Sequence, residues 1–90
     1  WTRVPTFDEL VWPSLLAIRA NGGSATITEH ADRLIERERV PEEIAAVPHG
    51  DTGRTELEYR LAWTRTGLKR GGFLENSGRG VWTVTELGET

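Results

Sequence analysis

An α+β fold, mainly helical, is predicted by two observations. A helix-start signature, Thr-x-x-Glu, occurs three times: Thr6 with Glu9, Thr26 with Glu29, and Thr55 with Glu58. Each precedes a segment whose apolar residues recur at three-to-four spacing. Behind the third segment lie two β-favouring runs, residues 73–76 and 81–84, joined by Ser77-Gly78-Arg79-Gly80. That glycine-bearing link predicts a hairpin. Three main helices closed by a C-terminal two-stranded β-hairpin form the winged helix-turn-helix arrangement, the hairpin being its wing.

In the first helix Thr6 is the expected N-cap, and Leu10, Val11, Leu15, Leu16 and Ile18 supply the apolar face. Pro13 removes one backbone donor, which predicts a bend or an effective start shifted toward Trp12. Asn21-Gly22-Gly23 stops the helix, since both glycines accept positive φ. Ser24-Ala25-Thr26 is too short to read as more than a strand fragment. The second helix follows Thr26, with Ile27, Ala31, Leu34 and Ile35 on one side and charged residues on the other. Pro41 suits the first position of a short helix over 42–46, and a Gly/Pro-rich loop spans 47–53. The third main helix runs from the Thr55 cap to the Gly71-Gly72 stop. Stepping about 100° per residue from Leu61 places Leu57, Thr64 and Leu68 within about 60° of it, the core stripe. Tyr59, Trp63, Thr66 and Arg70 fall on the opposite side. Thr85 can cap a last helix.

Ninety residues with 37% apolar and 28% charged content describe one small domain, 1–90. A chain of this size buries roughly two-thirds of its unfolded surface, enough for one modest core. The absence of cysteine excludes a disulfide framework and a thiolate metal site, and is compatible with a cytoplasmic setting. No apolar run approaches the roughly 18–20 residues of a membrane span. The chain opens on Trp1 instead of Met, so it is read as the N-terminal part of a longer protein. The net charge of −3 hides an asymmetry. Residues 54–80 hold six basic side chains (Arg54, Arg60, Arg65, Lys69, Arg70, Arg79) against three acidic ones. A basic face on an acidic domain still attracts phosphate locally.

No catalytic, cofactor or metal site is expected. His30 and His49 do not share the i, i+4 spacing of a helical metal site, and His49 reads as exposed or loop-stabilising. Gly78-Arg79-Gly80 opens no helix and therefore makes no phosphate loop. Nucleic-acid binding has better support. Arg54 and Thr55 stand where helix amides and the dipole favour a phosphate. Tyr59 and Trp63, one turn apart, can meet sugar, a thymine methyl or a modified base, and Arg60 can donate to guanine or phosphate. Ser77 and Arg79 belong to the hairpin tip, where the flanking glycines allow close approach to a strand or a narrow minor groove. Each residue also has a structural reading. Trp63 can pack under a neighbouring helix, and Trp82 can support the core or the hairpin. Arg60 can pair with Glu56, and Arg65 with Glu58. Arg79 has the least obvious structural task.

Three segments carry a family resemblance. They are Pro5-Thr6-Phe7-Asp8-Glu9-Leu10-Val11-Trp12-Pro13, Arg54-Thr55-Glu56-Leu57-Glu58-Tyr59-Arg60-Leu61-Ala62-Trp63 and Leu74-Glu75-Asn76-Ser77-Gly78-Arg79-Gly80-Val81-Trp82. In order and spacing they resemble the N-terminal domain of Mrr-type, modification-dependent restriction endonucleases. The resemblance implies a winged-helix module that binds duplex DNA, methylated or otherwise modified. It also implies a nuclease domain in the same chain beyond Thr90. Nothing in these residues matches that domain's metal-dependent acidic and lysine motif, so cleavage is assigned elsewhere. The competing expectation is a protein-interaction or homodimerisation module without DNA contact. It draws on the acidic balance and on Phe7, Trp1 and Trp12 near the start.

Overall fold

The computed structural model describes residues 1–89. Helix α1 covers Phe7–Ala20, strand β1 Ser24–Thr26 and helix α2 Ile27–Glu38. A four-residue helix α3, Glu42–Ala45, precedes α4, Glu56–Arg70. Strands β2 (Leu74–Gly78) and β3 (Val81–Val84) form the hairpin, and α5, Glu86–Glu89, ends the described chain. None of these helices is long and apolar enough to cross a membrane.

All three expected capping boxes form. In each, the threonine side chain accepts from the amide of the glutamate three residues on, whose side chain accepts from the threonine amide. Arg3 reinforces the first box, its guanidinium holding both Glu9 oxygens at 2.6 and 3.1 Å. That pair, with the Thr6 amide, draws the Glu9 carboxyl down to about 2. This well-fastened first turn explains why Pro13 does not displace the start of α1. The helix begins at Phe7 and runs through Pro13, while Leu10 on one side of the proline and Leu15 and Ile18 on the other are buried. Pro41 lies one position earlier than expected and is the N-cap of α3.

The core has two parts, and α1 and α4 cross both. Leu10, Leu34, Val40, Leu57 and Leu61 pack at the end formed by α2 and α3. Leu15, Ile18, Ala25, Leu68, Leu74 and Val84 pack where α1 and α4 meet the sheet. The predicted α4 stripe of Leu57, Leu61, Thr64 and Leu68 is buried throughout. On α2 the expected Ala31, Leu34 and Ile35 do pack on the core, while Ile27 does not and His30 joins them. Leu34 and His30 are its buried residues, and Ile27 is left 45% exposed.

The sheet also departs from expectation. Ser24–Thr26 pairs antiparallel with Val81–Thr83, so the expected two-stranded wing is a three-stranded sheet in the order β1-β3-β2. Three residues suffice for β1 because both ends are fastened. The turn ahead of it uses Gly22 and Gly23 at φ +82° and +91°, and Thr26 is already the cap of α2. The order α1, β1, α2, α4, β2, β3, with α3 in the connection between the second and third main helices, is that of a winged helix-turn-helix.

Candidate nucleic-acid interface

Five of the seven expected contact residues lie between Arg54, just ahead of the Thr55 cap, and Trp63 at the middle of α4, and the structure gives them different tasks. Tyr59 lies flat on His49 of the preceding loop, with ring centroids 3.8 Å apart and 12° between planes. Trp63 meets the Tyr59 ring edge-on at 6.5 Å and remains 51% exposed. The tryptophan is therefore a surface residue and does not pack under a neighbouring helix.

Arg60 is tied to its own chain. Its Nε donates to Glu56 Oε2 at 2.7 Å, and Nη1 donates to the carbonyls of Val4 and Pro5 at 3.2 and 3.0 Å. The expected Glu56–Arg60 pair exists, and it anchors the N-terminal segment to α4. The other Glu56 oxygen lies 2.7 Å from His49 Nδ1. His49 and Arg60 together hold the Glu56 carboxyl below the usual carboxylate range.

The start of α4 offers phosphate less than its sequence suggests. The Thr55 amide donates to Glu58 Oε1 at 2.8 Å, the Glu56 amide to the Val47 carbonyl at 2.7 Å, and the Glu58 amide to Thr55 Oγ1 at 3.1 Å. These bonds occupy donors that an anion would use, and two carboxylates already sit in the first turn. Arg54 is exposed, its Nη2 only 3.4 Å from the Glu58 carbonyl.

At the hairpin, Ser77 lies at the irregularity between Asn76 and Gly78, and its hydroxyl is 2.6 Å from Thr83 Oγ1. Arg79 is exposed at the tip beside Gly80, whose φ of +72° closes the turn. Among the described residues, Arg79 has no hydrogen bond or ion pair. The Gly80 carbonyl accepts from the Ile27 amide at 3.2 Å, which seats the hairpin tip against the first turn of α2. Tyr59, Trp63 and Arg60 thus gather around His49 and the N-terminal segment, whereas Ser77 and Arg79 sit beside the start of α2.

The main surprise lies between these groups. The expected surface pair of Arg65 with Glu58 does not form. Arg65 is 3% exposed, and its Nη1 lies 2.9 Å from Nδ1 of His30, itself fully buried. The Trp82 ring covers the guanidinium at 5.9 Å. Burial first, and then the charge of Arg54, lower the Arg65 pKa to about 10. Burial first, and then Arg65, hold His30 down at about 3, so the ring is neutral. The helix geometry contained the signal for both residues. Arg65 falls about 40° from Leu61, inside the core stripe, and His30 is one turn from Leu34.

The sequence matches the family model of the Mrr N-terminal domain over residues 7–90. The chain belongs to that family. No curated protein and no solved structure matches it. In this Mrr N-terminal domain, the winged-helix elements are α1, α2, α4 and the three-stranded sheet. Membership ties the chain to restriction systems of the Mrr type.

Proposed function

We propose that this Mrr N-terminal domain acts as one module, residues 1–90, that binds duplex DNA. It would direct a nuclease domain beyond Thr90 to modified foreign DNA in the cytoplasm. The carrying observation is Arg79: an exposed guanidinium at the tip of a glycine-flanked hairpin, without an intramolecular partner among the described residues. Its flanking position suits a backbone phosphate or the minor groove beside a helix seated in the major groove. Tyr59 and Trp63 supply the aromatic surface for a base edge or an added methyl group, and Arg54 stands exposed ahead of the Thr55 cap. Arg60 and Thr55 act by holding α4 and the N-terminal segment in place. Of the six basic residues in 54–80, Arg65 is buried and Arg60 is paired, which leaves four for phosphate. Bulk attraction is therefore weak, and specificity has to come from the aromatic pair.

Fluorescence titration of tryptophan emission with methylated and unmethylated duplexes at low salt tests this reading. Saturable binding with a preference for one duplex supports it, and no binding to either overturns it. A second reading has its own observation: Trp1, Phe7 and Trp12 are 39%, 40% and 59% exposed, which suits a subunit contact. A concentration-dependent dimer in light scattering, without DNA affinity, favours that one.

A further inference from the structure

An open cleft of about 240 Å³ lies between the last turns of α1 and the second half of α2, lined by Ala17, Ala20, Arg33, Glu36 and Arg37. The two alanines leave the space, and two arginines one helical turn apart flank it. Arg33 is held in place. Its Nε donates to Asn21 Oδ1 at 2.9 Å, and Asn21 Nδ2 donates to the Ser24 carbonyl at 2.8 Å. Asn21 is also the C-cap of α1, so the turn between α1 and β1 sets the position of this guanidinium. The Nη groups of Arg33 and the whole Arg37 guanidinium have no hydrogen bond or ion pair among the described residues. The Glu36 carboxylate, in the same cleft, has none either.

Like charges at i and i+4 repel and disfavour a helix. Arg33 and Arg37 have that spacing, and no carboxylate among the described residues lies within ion-pair distance of either. The cleft therefore offers free donors to an anion. Glu36 adds an acceptor. A peptide segment brings both halves of that match, a side-chain carboxylate for the guanidiniums and a backbone N–H for Glu36. The DNA backbone brings acceptors only, and Glu36 would repel its row of phosphates. Position separates the cleft from the start of α4 as well. At about 100° per residue, Arg33 and Arg37 lie about 100° and 60° to one side of buried Leu34, with Ala31 and Ile35 about 60° and 100° to the other. Ala31 and Ile35 line a second groove together with Thr55 and Leu57, so α2 stands between the two arginines and that end of α4.

We propose that the cleft between α1 and α2 is a docking site for an acidic protein segment. Arg33 and Arg37 receive one of its carboxylate side chains, and Glu36 accepts from a backbone amide beside it. Arg33 is already oriented through Asn21, so it loses little side-chain freedom on docking. Ala17 and Ala20 form a methyl floor for the aliphatic part of the incoming side chain. The docking site and the duplex-binding surface are independent, and either can exist without the other.

The test titrates the 90-residue chain with the blocked peptide acetyl-Ala-Glu-Ala-Glu-Ala-amide, using its Gln counterpart as the neutral control. The Nε–H resonances of Arg33 and Arg37, assigned by their loss in Arg33→Gln and Arg37→Gln, are followed by NMR at constant ionic strength. A saturable shift of both with the Glu peptide, and none with the Gln peptide, is expected. Losing one charge-assisted hydrogen bond should make Arg37→Gln bind about tenfold more weakly. Arg37 is exposed, so this variant leaves the core untouched. No saturable shift, an equal shift with the Gln peptide, or unchanged affinity in Arg37→Gln overturns the proposal. A duplex that shifts the same two resonances at lower concentration than the peptide makes the cleft a DNA-backbone contact, and the proposal fails while the DNA reading stands. If the peptide binds and no duplex does, the docking site stands and the DNA reading falls.

Discussion

His49 and Tyr59 form a parallel stack with 3.8 Å between ring centroids, and Glu56 fastens the imidazole from the side through Nδ1. The loop ahead of α4 is thereby joined to the helix one turn beyond its cap. His49→Ala removes the stack and one Glu56 partner together. Aromatic pairs contribute about 0.5–1.5 kcal/mol beyond burial, so a loss of about 1 kcal/mol in urea denaturation is expected. A double-mutant cycle with Tyr59→Leu should return a coupling of about 0.5 kcal/mol or more. Additive effects would show that the rings are adjacent without supporting each other.

Buried His30 gives the fold a pH dependence whose sign follows from its depressed pKa of about 3. The unfolded chain protonates this histidine near pH 6.5, whereas the folded chain keeps it neutral until about pH 3. Between those values the unfolded state binds the extra proton. Its contribution to stability is complete above about pH 6.5 and declines as pH falls toward 3, at up to about 1.4 kcal/mol per pH unit. Denaturation midpoints at pH 7, 6 and 5 should fall in sequence, and His30→Gln should flatten that decline. Glu9, Glu56 and Glu58 all have lowered pKa values, so the losses linked to them fall mainly below about pH 4.5, and His30→Gln separates the His30 share above it. An unchanged slope in His30→Gln would assign the dependence to other groups.

Arg39 closes α2 with a left-handed backbone, φ 53° and ψ 46°, and is the one non-glycine residue at positive φ among those described. A side chain in that region is unfavourable by roughly 1–2 kcal/mol, while glycine adds unfolded-state entropy of about 0.4–1 kcal/mol. Arg39→Gly should therefore stabilise by about 0.5–1 kcal/mol, raising the midpoint of thermal unfolding by a few degrees. A drop would mean that the Arg39 side chain contributes more than its backbone loses.

Gly88 is buried where α5 returns to the hairpin. A Cβ there would lie 2.7 Å from Val84 Cγ1 and closer still to the Phe73 carbonyl. Backbone cannot yield as a flexible side chain does, so Gly88→Ala should destabilise by about 1–3 kcal/mol. Circular dichroism melts measure this. A neutral result would show that α5 can detach without loosening the core.

Arg79→Ala tests the proposed wing contact without touching the core. Affinity should fall for all duplex sequences alike, with the salt slope reduced by about 0.9. A preserved slope would remove Arg79 from the interface.

The sequence by itself determined what depends on neighbours along the chain. Three Thr-x-x-Glu boxes set three helix starts, the Leu57-Leu61-Thr64-Leu68 spacing set the buried face of α4, and Gly78 and Gly80 marked the hairpin. A capping hydrogen bond and a 100° step need only a few consecutive residues, so both are legible locally. Tertiary structure decided whatever joins distant segments. Ser24–Thr26 became a strand because Val81–Thr83 lies beside it, and Arg60 became an anchor because Val4 and Pro5 present carbonyls to it. Arg65 changed most, from an expected surface partner of Glu58 to a buried cation against His30 and Trp82. The 100° step places Arg65 in the core stripe, but which groups surround its buried charge is decided by other elements.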